Sequence, residues 1–227
     1  TGTDWSLQAY LKPPYPNGTD YYGSAVSLSG DTLVVGAPGE DSAHTTITNG
    51  TTASTDNSLS YPGAAYAYRR VGTTWAQEAF IKSPDNTQYS SFGSKLTLEG
   101  NQLAVHSDEW SAYRGAVYLF TRDGSNWSFD QKITASNPDN SDDFGGDLTL
   151  SGDTLAVSAY KEDSNQNTIT NGTDTSTNDS VTDSGAAYVF RRSGTTWTQE
   201  AFIKAPELDN TDNFGIRLDL QGDTLAV

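Results

Sequence analysis

Short runs in which apolar and polar residues alternate recur along this chain, and each follows an aromatic residue and a glycine. In the last of them, Phe214-Gly215 precedes Leu218 and Leu220, which alternate with polar residues. A glycine-centred turn and a second apolar run, residues 225–227, come next. This is the pattern of a β-hairpin with one buried face. Further copies begin at Tyr22-Gly23, Phe92-Gly93 and Phe144-Gly145.

Three independent markers repeat at the same intervals. The tryptophans Trp5, Trp75, Trp127 and Trp197 are separated by 70, 52 and 70 residues, and the aromatic-Gly pairs keep those intervals. A Gly-Ala motif at residues 63–66, 115–118 and 185–188 agrees with them. This agreement indicates a repeat protein. We divide the chain into units at residues 3–72 (long), 73–124 (short), 125–194 (long) and 195–227 (incomplete short).

Each complete repeat contains four predicted strands, A to D. In the copy that is easiest to trace, they cover about residues 92–98, 102–106, 115–121 and 127–134. The turns between strands A and B are tight, because Gly30 and Asp31 supply the backbone angles that such turns require. No segment shows a sustained helical period. The sequence therefore predicts an all-β fold of four-stranded antiparallel units, which is typical of β-propeller blades.

The long units differ from the short one in the connection between strands B and C. This connection spans residues 39–62 and 161–184 and is rich in Thr, Ser, Asn, Asp and Gly. Both copies contain the sequence Thr-Ile-Thr-Asn-Gly-Thr, at residues 46–51 and 168–173. Long loops in compact repeats are usually functional or disordered. The shared sequence favours an ordered structure.

Several of these motifs together resemble a known family. The aromatic-Gly pairs are followed by Gly-Asp-Thr-Leu-Val-Val-Gly-Ala-Pro at residues 30–38 and by Gly-Ala-Ala-Tyr-Ala-Tyr at residues 63–68. This combination resembles the FG-GAP repeat of integrin α-subunit propellers, and especially the integrin-α-like repeat proteins of bacterial and archaeal surfaces. The resemblance spans essentially the whole chain. It implies a β-propeller-type array of about three and a half repeats that acts in adhesion or ligand binding.

The chain also departs from the family pattern. Calcium-binding integrin blades carry an Asp-rich loop between strands A and B, whereas this chain has only a tight Gly-Asp-Thr turn there. The integrin calcium site is therefore not transferred to this chain. The Gly-Ala-Pro element is intact only at residues 36–38, and it becomes His106-Ser107-Asp108 and Ser158-Ala159-Tyr160 in the following repeats.

The two ends of the chain predict an array that is not closed on itself. Residues 5–12 resemble a strand D, which would complete a blade begun elsewhere, and the sequence stops at Val227 within strand B of the fourth repeat. We therefore expect either that the segment is part of a larger propeller or that another chain completes its edge, because an unpaired sheet edge invites association.

Composition excludes several classes of function. The formal net charge is −16, which argues against a nucleic-acid partner, because phosphate contacts require clustered Lys and Arg. The chain has no cysteine, so it cannot form disulfides or zinc-thiolate sites. No apolar run approaches the roughly 20 residues of a membrane span. An acidic surface suits solubility in salt and cation binding.

The second long loop contains a candidate calcium site. Ca²⁺ prefers several oxygen ligands from carboxylates, amides and backbone. The loop offers such oxygens at alternating positions and then further along, and the candidate ligands are Asp163, Asn165, Asn167, Asp174 and Asp179. The first long loop has Ser42-Ala43-His44 in the corresponding place, which weakens the idea of a site shared by both loops.

Acidic pairs follow strand B in each repeat, at Glu40-Asp41, Asp108-Glu109 and Glu162-Asp163. Two carboxylates can act as acid and base in a glycosidase. However, a pair that recurs in every repeat is unlike a single catalytic centre, and we interpret these acids as solvated turn residues or cation ligands. Candidate ligand contacts are Trp110, which interrupts the repeat pattern, and its neighbours Asp108 and Glu109.

The remaining candidates are assigned structural roles. The two histidines, His44 and His106, occupy different repeat positions, and we predict that both are surface or turn residues. The repeated tryptophans and the Phe of each Phe-Gly pair are predicted to pack in the core or between blades. Five Asn-x-Ser/Thr sequons in turns and loops are candidates for glycosylation, namely Asn17, Asn49, Asn126, Asn171 and Asn178.

Taken together, the sequence predicts a non-enzymatic extracellular or cell-surface module that binds a protein or glycan ligand. This function follows from the family resemblance and from the lack of recognisable catalytic machinery. An alternative is a structural subunit of a surface layer or fibre that assembles through open blade edges. A carbohydrate-active enzyme domain is the third and least favoured alternative.

Overall fold

The computed structural model describes residues 4–109 and 112–227. These residues contain β-strands joined by turns and loops, and no helix is found among them. The strands are β1 Val26–Ser29, β2 Thr32–Ala37, β3 Thr48–Asn49, β4 Ala64–Val71, β5 Thr74–Ile81, β6 Leu96–Glu99, β7 Gln102–Ser107, β8 Ala116–Asp123, β9 Asn126–Ile133, β10 Leu148–Ser151, β11 Thr154–Ala159, β12 Thr170–Asn171, β13 Ala186–Ser193, β14 Thr196–Ile203, β15 Asp219–Gln221 and β16 Thr224–Ala226.

The strands form successive antiparallel sheets, which we call blades 1 to 4. Blade 1 has the order β1-β2-β4-β5-β3, blade 2 the order β6-β7-β8-β9, and blade 3 the order β10-β11-β13-β14-β12. Blade 4 consists, among the described residues, of the hairpin β15-β16. In blades 1 to 3, four strands are consecutive A-to-D strands. The predicted all-β class and the propeller-type blades are therefore confirmed.

In blade 2 the observed strands match the predicted ones except at the start of strand A. This strand begins at Leu96 rather than near residue 92. Gly93 has a φ of 94°, a left-handed conformation that breaks the regular strand. The chain before it, including Phe92, instead contacts the preceding blade, where Phe92 forms an isolated parallel bridge with Gly63.

Each long loop contributes one short strand to its blade, at the sequence that the two loops share. In blade 1, β3 pairs with the outer edge of β5 through Thr48 and Asn49, and in blade 3, β12 pairs with β14 in the same way. The Thr-Asn step of each shared motif thus adds a fifth strand outside strand D. The long loops therefore cover the outer edges of blades 1 and 3, and blade 2 has no corresponding strand.

The expected D-like strand at residues 5–12 is not formed. No strand is assigned there, because none of the described strands pairs with it, and Trp5 is fully exposed. The segment nevertheless runs beside blade 1, where the Nε1 of Trp75 donates to the side-chain oxygen of Gln8 at 3.1 Å. Leu11 packs against the apolar residues of that blade.

The core lies mainly between neighbouring blades. Val34 of blade 1 belongs to the same apolar cluster as Leu98 and Phe120 of blade 2, and a second cluster joins blades 2 and 3. Of the repeated tryptophans, Trp127 and Trp197 are buried, Trp75 is half-buried and Trp5 is exposed. The predicted packing role is thus confirmed for the tryptophans that start β9 and β14, and for the fully buried Phe92 and Phe144.

A repeated backbone contact, which we call the Phe-Gly clasp, joins each blade to the next. The amide of Phe92 donates to the carbonyl of Pro62 at 3.0 Å, and the same bond recurs from Phe144 to Arg114 and from Phe214 to Ser184. The backbones approach so closely that only glycine fits on one side. A Cβ added to Gly63, Gly115 or Gly185 would overlap the carbonyl oxygen of the facing phenylalanine.

This clasp predicts a large difference between two glycine substitutions in blade 2. Gly115 and Gly124 both have positive φ, 74° and 61°, but an added Cβ meets Phe144 at Gly115 and nothing within 4 Å at Gly124. Gly124→Ala should cost only the left-handed strain of about 1–2 kcal/mol. Gly115→Ala should cost clearly more in the free energy of unfolding, measured by urea denaturation. Equal losses would show that the close approach is not a constraint.

A second comparison concerns the fifth strand. The side chain of Asn49 accepts from the Trp127 amide at 2.8 Å and donates to the Trp127 carbonyl at 3.2 Å, joining β3 to blade 2. Asn171 has the same place in β12 without such a bond among the described residues. Asn49→Ala should therefore lower the free energy of unfolding by about 1–2 kcal/mol more than Asn171→Ala. Indistinguishable urea midpoints for the two variants would contradict this role.

Candidate functional site

The B-to-C loops and the connections between blades meet at one end of the blades. The amides of Tyr89 and Ser91, in the connection to blade 2, donate to the carbonyls of Ser60 and Tyr61 at the end of the first long loop. The backbone here is left-handed, with φ of 53° at Tyr61 and 61° at Tyr89. The candidate site residues gather at this end.

Three tyrosines form a row across blades 1 and 2, which we call the tyrosine row. The rings of Tyr21 and Tyr61 have centroids 6.3 Å apart with an interplanar angle of 29°, and those of Tyr61 and Tyr89 are 6.0 Å apart with an angle of 21°. Tyr21 is 58% exposed and Tyr89 is 37% exposed. The amide of Tyr61 is fixed by Asp41 Oδ1 at 2.9 Å. Sequence reasoning missed this row because its members come from three separate loops.

The backbone at these positions disfavours tyrosine. All three have φ between 53° and 61°, and bulky residues rarely adopt positive φ. In the position of Tyr21, later repeats carry Ser91, Asp143 and Asn213, and Asp and Asn tolerate this conformation better than tyrosine does. The backbone is thus the same whichever residue is present, and burial does not compensate for placing the exposed Tyr21 there. Such strain clusters at functional sites.

The tyrosine row leads to a polar cavity in blade 2 of about 380 Å³. Gln88 and Ser90, the neighbours of Tyr89, line it together with Asp85, Glu109 and Lys132. The Nζ of Lys132 is 2.9 Å from Asp85 Oδ2 and also contacts Glu109. Burial opposes the charged ammonium, but hydrogen bonds to Glu109 and Asp85 raise the pKa of Lys132 overall.

Blade 2 has this cavity because two features of the long blades are absent. In blades 1 and 3 a phenylalanine of strand D packs on the tyrosine of strand C, as Phe80 does on Tyr66 with centroids 5.1 Å apart. In blade 2 the corresponding residue is Lys132, whose Nζ lies 5.4 Å from the centre of the Tyr118 ring. The fifth strand is absent as well. Lysine thus replaces an apolar contact with a polar one.

The predicted ligand contacts fall at this end of blade 2. Glu109 lines the polar cavity, whereas Asp108 lines a neighbouring cavity at the junction with blade 3. Trp110 lies outside the described residues. Burial raises the pKa of Asp108.

The acidic pairs of the long loops are not simply solvated turn residues, since the first member of each is buried. Glu40 is 2.6 Å from the Nζ of the buried Lys82, and Glu162 is 2.5 Å from the Nζ of the buried Lys204. Burial lowers the pKa of Lys82. Each of these Lys–Glu ion pairs connects the start of a long loop to the end of strand D in the same blade.

The second long loop brings some of the predicted calcium ligands together. Asp163 and Asp179 lie near Asp139 and Glu162, and burial together with these charges raises the pKa of Asp179. The side chain of Asp163 accepts from the amide of Asp183 at 2.6 Å. Asn165 Oδ1 accepts from Ser176 at 3.4 Å, and Asn167 and Asp174 are not seen to join this acidic group.

The tight A-to-B turns do not fit a cation. Their aspartates are used in ion pairs, with Asp31 at 2.7 Å from Arg70 and Asp153 at 2.5 Å from Arg192. Among the described residues, one group of three His, Cys, Asp or Glu side chains lies close enough together to hold a metal ion, namely His106, Asp108 and Asp143. A metal site of the integrin type is therefore not supported by these turns.

The prediction that both histidines are surface or turn residues is wrong for His106. It is the last residue but one of strand B of blade 2 and is 2% exposed, because blade 3 covers it. His44 is exposed in the first long loop, as predicted. The burial of His106 could not be predicted from the repeat, because the equivalent residues are Gly36 and Ser158.

The five sequons are exposed in the structure. Asn49 differs from the rest, because its side-chain nitrogen donates to the carbonyl of Trp127. A glycan on that nitrogen would compete with the contact between blades 1 and 2. The other asparagines, Asn17, Asn126, Asn171 and Asn178, make no such inter-blade contact among the described residues.

Comparison with known protein families gives one result. A family model described as FG-GAP repeat matches residues 5–68 and 127–190, which is more than half of the chain. The matched residues lie in the two long units and leave out the whole short unit, residues 73–124. Comparison with curated proteins gives no match. Within the described residues, no helix has the length and apolar character needed to cross a membrane.

The buried Asp142 predicts a pH dependence of stability. It is 1% exposed, its Oδ1 has no hydrogen-bond partner, and burial raises its pKa from 3.8 to about 7. Between pH 4 and 7 the folded state then binds a proton that the unfolded state has lost, so stability falls as pH rises. Asp142→Asn should remove the part of this decline that comes from Asp142, which is at most about 4 kcal/mol in the free energy of unfolding. The measurement is urea denaturation at several pH values across that range.

The matched control is Asp212→Asn. Asp212 accepts the equivalent backbone hydrogen bond, from Asp209 at 2.7 Å, but is exposed. Its substitution should leave the pH dependence of the wild type unchanged. Parallel stability curves for wild type and Asp142→Asn would disprove the titration of Asp142 in this range.

Proposed function

The chain belongs to the FG-GAP repeat family, and from this premise we propose that it is a non-enzymatic extracellular module that binds a protein or glycan ligand at a cell surface. The repeats of this family suggest an integrin-like β-propeller domain, which often binds ligands. In this proposal, the ligand-binding site serves adhesion. The single observation that carries this proposal is the tyrosine row adjoining the polar cavity of blade 2.

The tyrosine row offers the contact area that recognition requires. Tyrosine supplies a large, rigid surface with few rotatable bonds and a polar hydroxyl, so little entropy is lost when a ligand binds. The rings of Tyr21, Tyr61 and Tyr89 lie side by side on fixed loops. A sugar face or an aromatic or aliphatic side chain of a partner can pack on them.

The adjoining cavity supplies polar groups. Lys132 and Glu109 border it together with the exposed residues Thr87 and Gln88. These groups can donate to and accept from the hydroxyls of a sugar or the backbone of a peptide. The carboxylates of Asp85 and Glu109 form ion pairs with Lys132. This pairing favours a binding role for them over a role in acid–base catalysis.

A second candidate function is a structural subunit that assembles through open blade faces. It is favoured by Val26 and Leu28 on β1, which are 63% and 61% exposed. The equivalent leucines of blade 3, Leu148 and Leu150, are buried against neighbouring strands. Sedimentation of a monodisperse monomer at all concentrations would favour the binding module, whereas polymers would favour the structural subunit.

Two accessory features are also part of the proposal. Calcium would bind at the second long loop, where Asp163 and Asp179 lie close to Asp139 and Glu162 and the cation would relieve their repulsion. Glycans would occupy the exposed sequons other than Asn49. Thermal melting with Ca²⁺ or chelator tests the first feature, and intact-mass analysis of protein from the natural host tests the second.

The binding proposal predicts that Tyr61→Ala and Tyr89→Ala weaken ligand capture. Each removes one ring from the row, and loss of an aromatic contact of this kind costs about 1–3 kcal/mol, or about 5-fold to 150-fold in affinity. Binding is measured on a glycan array and on cell surfaces with the labelled chain. Tyr15→Ala removes an exposed tyrosine outside the row and should leave binding unchanged.

The same array distinguishes binding from catalysis. Release of labelled sugar fragments by the wild type would favour the enzyme alternative. Equal binding by Tyr15→Ala and Tyr61→Ala would exclude the tyrosine row as the ligand surface.

A further inference from the structure

The group of His106, Asp108 and Asp143 lies at the junction of blades 2 and 3. His106 and Asp108 stand at the end of strand B of blade 2, and Asp143 precedes the Phe-Gly pair that clasps blade 3 to blade 2. One ring nitrogen and one oxygen from each carboxylate all lie within 4.8 Å of one another. The three residues border the same cavity of about 370 Å³.

His106 is an unusual residue to bury at this position. Its side chain is almost fully enclosed, and Nε2 has no hydrogen-bond partner among the described residues. The other nitrogen, Nδ1, lies 2.8 Å from Ser94 Oγ and 3.7 Å from Asp108 Oδ1. A buried polar atom without a partner costs about 1–3 kcal/mol. A ligand that reaches Nε2 would remove this cost.

The chemistry of the three side chains suits a metal ion. Neutral imidazole is the form of histidine that binds metal ions. Two carboxylates balance the charge of a divalent cation.

The set of donors selects among metals. An imidazole with two carboxylates suits first-row transition metals such as Zn²⁺, whereas Ca²⁺ requires six or more oxygen ligands. Zinc sites with three protein ligands keep a fourth position for water or another ligand. Bonds of about 2.0–2.2 Å place tetrahedral donors about 3.4 Å apart, so the side chains must move together by about 1 Å.

We propose that His106, Asp108 and Asp143 form a binding site for a divalent transition-metal ion, with Zn²⁺ the best match, that links blades 2 and 3. This site does not depend on the proposed ligand surface, which lies on the tyrosine row. Positively charged side chains nearby would compete with the metal ion for the two carboxylates. Lys161 Nζ is 3.9 Å from Asp143 Oδ2, and Lys95 and Arg217 border the cavity.

The test is metal binding to the full chain in metal-free buffer. Zn²⁺ is titrated by calorimetry, and Co²⁺ is added as a probe whose visible absorption reports imidazole and carboxylate coordination. We expect saturable binding of one Zn²⁺ per chain, absorption from bound Co²⁺, and no displacement by excess Ca²⁺. Absence of saturable Zn²⁺ binding would overturn the proposal and would mean that the lysines and Arg217 alone balance the carboxylates.

Variants identify the ligands. Asp143→Asn introduces the residue that Asn213 supplies at the equivalent position, where φ is 53°, so the fold should tolerate it. This variant and His106→Gln should weaken Zn²⁺ binding by at least the roughly 10-fold that even outer-shell changes cause. His44→Gln, at the exposed histidine, should bind as the wild type does.

Folding is checked by circular dichroism in chelator, so that a loss of binding by Asp143→Asn cannot be attributed to unfolding. Wild-type affinity in a folded Asp143→Asn variant, or loss of binding only in His44→Gln, would disprove this site. The tyrosine variants of the ligand surface should retain Zn²⁺ binding, which separates the two proposals.

Discussion

The close backbone approach in the Phe-Gly clasp is the constraint on which the rest of the structure depends. The amide of each clasp phenylalanine donates to the carbonyl that precedes a glycine of the previous blade, as in the bond from Phe144 to Arg114. Glycine is required because a Cβ would overlap the phenylalanine carbonyl. The clasp buries the phenylalanine ring between blades, and several loop residues around it have positive φ. The same contact thus builds the core and brings together the loops that carry Tyr61 and Tyr89.

A second device, the buried Lys-Glu pair, distinguishes the long blades from the short one. Lys82 with Glu40 and Lys204 with Glu162 each join strand D to a long loop. A buried pair is costly to form but strongly destabilising to break, so both members must be present together. In blade 2 the lysine position is Thr134, and no long loop follows strand B. The pair and the loop are therefore one structural unit, which explains why they occur together in this chain.

The sequence predicted what depends on local pattern. Alternating residues and turn glycines located the hairpins, and the spacing of the tryptophans gave the repeat. The contacts between blades could not be read in this way. Tyr21, Tyr61 and Tyr89 lie on three separate loops that meet only in the folded chain, and His106 is buried by a blade that comes later in the chain. Residues 5–12 kept the strand pattern without forming a strand, because a strand also requires a partner.

Blade 2 shows how one unit of a repeat protein can differ from its neighbours in its polar and charged side chains. Loss of the long loop and replacement of the strand D phenylalanine by Lys132 open a polar cavity beside the tyrosine row. Replacement of the Gly-Ala-Pro element by residues 106–108 places an imidazole and a carboxylate at the next junction. Phe-Gly clasps join blade 2 to blade 1 on one side and to blade 3 on the other, and these neighbours keep the fold in place. The short blade is therefore free to depart from the repeat, and its departures supply the polar cavity and two residues, His106 and Asp108, of the metal site that we propose.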